Sequence, residues 1–147
     1  MKKIIKTLLV ILCLAHGSVF GQELKKSELT NDWTLFSETN GVKLFVKSET
    51  CDVQGAPKPF EYVFIKLENT NSESKTVDLQ FGMNFNQLCI GCSLSDIEAK
   101  RKIVVPANSI LMGDATFKRG ELSYLIANHN ATVYTFQSVK LINLKVQ

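Results

Sequence analysis

Histidine is scarce in this sequence, and its scarcity excludes most common catalytic arrangements. The chain has two histidines among its 147 residues. His16 lies in an N-terminal segment that we expect to be removed, which leaves His129 in the polar stretch "ANHNAT". A Ser-His-Asp or Cys-His site would need that one imidazole beside a nucleophile and an orienting group. A histidine in a tight polar turn is usually solvated, so we expect no catalytic residues and a protein that is not an enzyme.

Other patterns that carry chemistry are also missing. There is no glycine-rich phosphate loop, and the acidic residues lack the alternating Asp/Asn spacing of a calcium loop. A two-carboxylate site of the glycosidase type needs no fixed spacing, and no residue pattern indicates one. We therefore expect no cofactor and no metal.

A long apolar run is lacking too, and the one short run lies at the N-terminus. Residues 1–21 contain the basic start "MKKIIK" and the apolar core "TLLVILCLA", followed by Val19 and Gly21 at the −3 and −1 positions of a cleavage site. This order is typical of a secretory signal peptide cut before Gln22. The alternative is an uncleaved anchor, but the run falls short of the roughly 18 residues that a membrane span needs. The lysine-rich start is typical of bacteria, so we expect a periplasmic or secreted protein.

Removal of this segment also removes the excess of positive charge. The whole chain carries a formal charge of +3, and Lys2, Lys3 and Lys6 lie in the signal peptide. The 14 remaining Lys and Arg equal the 14 Asp and Glu and are scattered among them. A nucleic-acid or anionic-membrane partner calls for a basic block, so we expect neither such binding nor membrane insertion after cleavage.

What the mature chain does contain is the periodicity of β-strands. In "TVDLQFGMNF" five apolar residues between Val77 and Phe85 alternate with Asp78, Gln80, Gly82 and Asn84, which predicts a half-buried strand. The dipeptide Asn40-Gly41 predicts a hairpin turn, and a slip in the alternation near Leu141-Ile142 predicts a β-bulge.

Short strands separated by turn signals predict an all-β antiparallel sandwich of about seven to eight strands over residues 32–147. Residues 22–31, "QELKKSELTN", are expected to be a polar leader. The stretches "IKLENTNSESKTVDLQF" and "KIVVPANSI" resemble the immunoglobulin-like layout, in which one strand ends in an Asn-rich turn and a later strand ends in a Pro-containing turn. The resemblance implies an immunoglobulin-like fold and no particular activity. The Cys…Trp…Cys hallmark is absent, because Trp33 precedes every mature cysteine.

Three cysteines remain after cleavage: Cys51, Cys89 and Cys92. In an up-and-down strand count, Cys51 shares one end of the sandwich with Cys89 and Cys92, and His129 falls at the other end. An exported protein meets oxidising conditions, so we expect one disulfide, with Cys51 to Cys89 or Cys92 favoured and Cys89–Cys92 as the other pairing. A closed loop of about 40 residues predicts a stabilisation of roughly 4 kcal/mol.

Three other interpretations of the cysteines stay open. A redox-active CxxC needs a stabilised thiolate, commonly at a helix N-terminus after a strand, and the surrounding βαβ pattern is absent. A structural zinc site needs four ligands, and Asp52 or Asp96 would have to replace the distant His129. Three free, buried thiols are the third alternative.

The loop "CDVQGAPKPF" is the strongest candidate for recognition. It is long, holds Gly55, Pro57 and Pro59, and lies at the end of the sandwich that carries the cysteines. Rigid loops at one end of a sandwich commonly form binding sites. The candidate binding residues are Asp52, Val53, Gln54, Lys58 and Phe60. We thus expect a non-catalytic exported interaction module that binds an unknown protein or small ligand at the cell envelope. The alternatives are a thiol or zinc protein centred on Cys89 and Cys92, and a structural subunit that assembles through a sheet edge.

Overall fold

The structure, a computed structural model, describes residues 22–147 apart from positions 53, 56, 87, 117 and 129–133. The predicted signal peptide, Val53 and His129 therefore lie outside the described residues. Within the described ranges there is no α-helix, and so none that is long and apolar enough to cross a membrane.

Ten strands in the described residues form two five-stranded antiparallel sheets. The predicted all-β antiparallel sandwich is confirmed, with more strands than the seven to eight expected. Sheet A contains β1 (Glu23–Lys25), β5 (Lys75–Phe85), β6 (Leu88–Ile90), β7 (Lys100–Val105) and β10 (Phe136–Val146). Sheet B contains β2 (Thr34–Thr39), β3 (Val42–Cys51), β4 (Phe60–Asn69), β8 (Ser109–Met112) and β9 (Ser123–Asn128). The strand order is β1-β10-β5 with β6 and β7 both beside β5, and β2-β3-β4 with β8 and β9 both beside β4.

The local turn and bulge predictions are confirmed. Asn40 and Gly41 have φ values of 49° and 72°, and they join β2 to β3. Positive φ at both positions is the conformation that a tight hairpin turn requires. The pairing of β10 with β5 shifts register between Leu141 and Asn143, so Ile142 is the extra residue of a bulge.

The core lies between the two sheets and follows the alternation of the long strands. On β5 the inward residues Val77, Leu79, Phe81 and Met83 are buried, and β3 contributes Val42, Leu44 and Val46. Phe81 of sheet A stacks on Phe36 of sheet B, with ring centroids 5.9 Å apart. Such burial of apolar side chains on both inner faces holds the sheets together.

The polar segment 22–31 differs from the expected leader, because it contributes to the sandwich. β1 pairs with β10 from Glu23 to Lys25, and Leu29 is buried in the core. Segment 22–31 contains only two apolar residues, Leu24 and Leu29, which are too few to show the alternating pattern of a strand. They nevertheless cover one edge of the core, since β10 would otherwise be exposed there.

A buried asparagine fixes the point where the chain crosses from β7 in sheet A to β8 in sheet B. Asn69 Nδ2 donates to the carbonyl oxygens of Val105, at 3.1 Å, and Pro106, at 2.9 Å. Its Oδ1 accepts from Asn71 N at 3.0 Å. Because Asn69 is fully enclosed, these bonds satisfy groups that water cannot reach.

Each sheet has one edge that is interrupted by a loop. β6 and β7 pair with consecutive parts of β5, and residues 91–99, here called the 91–99 loop, leave the edge between them. β8 and β9 pair in the same way with β4, and residues 113–122, the 113–122 loop, leave between them. The 91–99 loop positions the candidate site.

Candidate functional site

The CxxC motif spans the end of β6 and the start of the 91–99 loop, and its two cysteines are bonded to each other. Cys89 and Cys92 form a disulfide with Cα atoms 5.7 Å apart, while Cys51 is a free, buried cysteine. The favoured pairing of Cys51 with Cys89 or Cys92 is therefore corrected. The physical reason is that Cys51 ends β3 in sheet B, whereas residues 88–90 form a strand on β5 in sheet A.

A glycine within β5 makes room for this disulfide. A Cβ atom at Gly82 would lie 2.6 Å from Cys92 Sγ and 3.2 Å from side-chain atoms of Ile142. Real Cβ atoms do not approach other atoms so closely, so only glycine at this position lets the disulfide lie against the outer face of sheet A. A glycine inside a strand commonly marks such a close approach, and this was the available sequence signal.

A buried glutamine next to Gly82 holds the 91–99 loop on the outer face of sheet A. Gln80 Nε2 donates to the carbonyl oxygens of Gly91 and Ser93, both at 2.7 Å. The Gln80 side chain is 0% exposed, although the alternation predicts an outward, solvated residue. Two carbonyl acceptors fix the orientation of the amide, because only its NH₂ group can donate to them.

The other end of the same amide is unsatisfied. Gln80 Oε1 is buried and has no hydrogen-bond donor among the described residues. Leaving a buried acceptor without a donor typically costs about 1–3 kcal/mol, so such atoms in folded proteins are usually satisfied by a protein group or by an ordered water.

An open groove of about 530 Å³ lies between the 91–99 loop and the outer face of sheet A. The loop contributes Leu94 and Ile97, and the sheet contributes polar and charged side chains. The described lining residues are Asp78, Leu79, Gln80, Leu94, Ile97, Lys100, Arg101, Lys102, Asn143 and Lys145. Leu94 and Ile97 are 64% and 79% exposed. The groove therefore combines two exposed apolar side chains with a cationic rim.

Hydrogen bonds within the 91–99 loop keep its shape. Asp96 Oδ1 accepts from Ala99 N at 3.2 Å, and Asp96 N donates to Ser93 O at 3.0 Å. Arg101 Nη1 donates to the carbonyl oxygens of Glu98 and Lys100. The groove is thus preformed, which lowers the entropic cost of binding.

The β3–β4 loop, which the sequence favoured for recognition, lies elsewhere. Asp52, Gln54 and Lys58 are exposed, and Phe60 is the half-buried first residue of β4. Val53 lies outside the described residues. None of the described residues of this set, Asp52, Gln54, Lys58 and Phe60, lines the groove of the 91–99 loop. The binding role of the β3–β4 loop stays a prediction.

Cys51 lies at the edge of an aromatic surface on the outer face of sheet B. It pairs with Phe60, whose ring approaches Tyr62, and Tyr62 stacks on Phe64 with centroids 5.8 Å apart. Burial raises the pKa of the Cys51 thiol, and Glu49 adds to the effect. A raised pKa keeps the thiol protonated and unreactive at neutral pH.

Lysine side chains cover the rest of that aromatic surface. Lys66 Nζ lies 3.9 Å from the ring centroid of Phe45 and 5.3 Å from that of Trp33. Lys47 Nζ lies 5.1 Å from the Trp33 ring. These cation–π contacts occupy the faces of the rings, so this surface is largely satisfied by its own residues.

The structure brings together no metal ligands in the ranges that it describes. No group of three or more His, Cys, Asp or Glu side chains there could hold a metal ion. His129 lies outside those ranges, so its predicted place at the opposite end of the sandwich is not described.

Comparison of the chain with protein-family models, curated proteins and solved structures finds no match. Functional inference therefore rests on the geometry of the groove and its surroundings.

Proposed function

We propose that this protein is a non-catalytic binding module, exported by a bacterium and built on an immunoglobulin-like sandwich, and that its ligand site is the groove under the 91–99 loop. The observation that carries the proposal is a groove of about 530 Å³ with two exposed apolar side chains, Leu94 and Ile97, on a loop that a disulfide and Gln80 hold in place.

The apolar side chains support the same assignment. Single exposed apolar residues are common on soluble proteins, but Leu94 and Ile97 line one groove together. A disulfide, two hydrogen bonds from Gln80 and several bonds within the loop hold these two side chains away from the core. Rigid presentation of apolar side chains beside polar groups is the common composition of a small-ligand site.

The uncharged fluorophore N-phenylnaphthylamine, which brightens in apolar surroundings, tests this function. We expect saturable binding to the mature protein and at least a tenfold weaker affinity in the double variant Leu94→Ser, Ile97→Ser. The double variant Val104→Ser, Ile110→Ser is the matched control, because both residues are at least half exposed and lie outside the groove. Equal binding by the two variants, or no binding by the wild type, would overturn the proposal.

The β3–β4 loop is tested separately by replacing residues 53–60 with a Gly/Ser loop. If the groove is the ligand site, this replacement leaves the affinity for N-phenylnaphthylamine unchanged. A large loss of affinity in a variant that still folds would show that the β3–β4 loop, and not the groove, binds the ligand.

A further inference from the structure

The positive charge along the groove is only partly balanced by acidic side chains among the described lining residues. Lys100, Lys102 and Lys145 line the groove, and Asp78 is the one acidic residue among the described lining residues. The salt bridges found between described residues involve other cations, namely Lys26, Lys47, Lys75 and Arg119. The groove thus keeps a local excess of positive charge on a mature chain whose formal charge is zero.

The strand pairing explains why these lysines converge. Lys100 pairs with Gln80, and Lys102 and Lys145 both pair with Asp78 from the two sides of β5. Residues at paired positions point to the same face of a sheet, so the three ammonium groups and the single carboxylate share the outer face. Arg101 adds a further cation, but its guanidinium donates to backbone carbonyls of the loop.

The apolar and cationic parts of the groove come from different elements of the fold. Leu94 and Ile97 come from the 91–99 loop, whereas the three lysines come from β7 and β10. A molecule bound in the groove would contact both the apolar side chains and the ammonium groups. A purely apolar ligand would leave the lysines uncompensated, and a small inorganic anion would leave Leu94 and Ile97 exposed.

We propose that the groove binds a small amphiphilic anion, with its apolar chain against Leu94 and Ile97 and its anionic group among Lys100, Lys102 and Lys145. This inference rests on the proposed function and names the ligand class for the same site. The groove volume of about 530 Å³ is within the range of about 300–1,000 Å³ that is usual for small-molecule sites.

Competition by three probes with one chain length tests the charge preference. Octanoate, octanol and octylammonium are each titrated against bound N-phenylnaphthylamine. We expect octanoate to compete at about tenfold lower concentration than octanol, which corresponds to roughly 1.4 kcal/mol, and octylammonium to compete least. Equal competition by octanoate and octanol would overturn the anionic assignment while leaving the groove itself as a binding site.

The triple variant Lys100→Gln, Lys102→Gln, Lys145→Gln should lose the preference for octanoate and still bind N-phenylnaphthylamine and octanol. The triple variant Lys25→Gln, Lys43→Gln, Lys118→Gln removes the same charge outside the groove and should keep the preference. A preference that survives in the first variant, or disappears in both, would overturn the proposal.

Salt provides a test that needs no variant. Raising NaCl from low to high concentration should weaken octanoate binding to the wild type several-fold and leave octanol binding unchanged, because ions screen exposed charges. A salt-independent octanoate affinity would contradict the role of the lysines.

A membrane surface could offer the same anionic chemistry, and vesicles distinguish it from a free molecule. We expect the protein to stay in the supernatant when vesicles of phosphatidylglycerol are pelleted, because the groove accommodates a single small molecule. The opposite result is that the wild type pellets with these vesicles while the Lys100, Lys102, Lys145 variant does not. That result would overturn the proposal of a free small ligand in favour of a lipid surface.

Discussion

The two interrupted sheet edges are built in the same way, but the loops that leave them are held in place by different contacts. The 91–99 loop is fixed on the outer face of sheet A by a disulfide and by the buried Gln80. The 113–122 loop is fixed from the inside, because Leu122 is fully buried in the core. A loop that is held by a disulfide and by hydrogen bonds can therefore keep its apolar side chains at the surface. A loop that is held by a buried apolar side chain uses that side chain in the core.

The glycines at the start of the two loops give the largest expected effects. A Cβ at Gly91 would lie 2.4 Å from Phe81 O, and one at Gly113 would lie 2.2 Å from Leu122 O. The close approach alone should lower the free energy of unfolding by about 3 kcal/mol in each alanine variant, because backbone atoms must move. Gly91 has a φ of +76°, so Gly91→Ala should cost about 1 kcal/mol more than Gly113→Ala.

Urea denaturation measures both effects, and two other glycines serve as controls. Gly55 has a φ of +83° but no atom within 4 Å of its Cβ position, so Gly55→Ala isolates the backbone strain at about 1 kcal/mol. Gly120, inside the 113–122 loop, has neither restriction, so Gly120→Ala should change little. If Gly91→Ala is no more destabilising than Gly55→Ala, the close approach of the loop to β5 is contradicted.

Removing the disulfide tests the covalent anchor of the 91–99 loop. The bond closes a very short loop, so Cys89→Ser with Cys92→Ser should lower the free energy of unfolding by about 2 kcal/mol, against roughly 4 kcal/mol for a link to Cys51. Peptide mapping of unreduced protein should find Cys89 linked to Cys92. Cys51 should react with a thiol reagent only after denaturation. A cross-linked Cys51 peptide would contradict the pairing.

The outer faces of the sheets should respond differently to loss of a lysine. Lys66→Met on sheet B should cost about 1 kcal/mol, since its ammonium group lies over the rings of Phe45 and Trp33. Lys102→Met on sheet A has no cation–π contact to lose among the described residues and should be nearly neutral. Thermal unfolding measures the loss of stability in the two variants. A larger loss for Lys102→Met would contradict the stabilising role of the cation–π contacts on sheet B.

The smallest expected effect concerns the opposite edge of sheet A. Hydrogen bonds from Ser138 and then Asn84, with nearby Lys140 and Lys25, lower the pKa of Glu23 below its usual 4.5. Its contribution to stability is therefore present above that pH and is lost as the pH falls through the lowered pKa. Glu23 is exposed, so the effect should stay below about 1 kcal/mol.

Acid titration of unfolding compares the wild type with Glu23→Gln. The variant should lose less stability than the wild type between pH 5 and pH 3. Parallel pH curves would show that the carboxylate does not anchor β1 to β10.

The sandwich could be predicted because its long strands carry strong local patterns. The alternation from Val77 to Phe85, the Asn40-Gly41 turn and the bulge at Ile142 are each visible in neighbouring residues. The three-residue strands β1 and β6 could not be predicted, since a strand of that length shows no period. They form because a longer strand, β10 or β5, offers them an open edge.

The candidate site could be predicted only in part, because it depends on contacts between distant positions. The CxxC motif was visible, but its partner choice depended on whether residues 88–90 form a loop or a strand. The alternation in β5 predicted that Gln80 is exposed to solvent. Gln80 is buried because the 91–99 loop crosses β5 at this position. Lys102 and Lys145 lie 43 positions apart in the chain, and no local pattern shows that both pair with Asp78.

The placement of long and short strands has a consequence for how copies of this protein meet. The strands β3, β4, β5 and β10, of 10 or 11 residues, each have a partner strand on both sides for at least part of their length, whereas each described edge strand has six residues or fewer. A neighbouring molecule can therefore find no long row of unpaired backbone groups to extend. Edge-to-edge polymerisation into fibres is disfavoured by this geometry, and an assembly of these chains would have to form through side chains on the sheet faces.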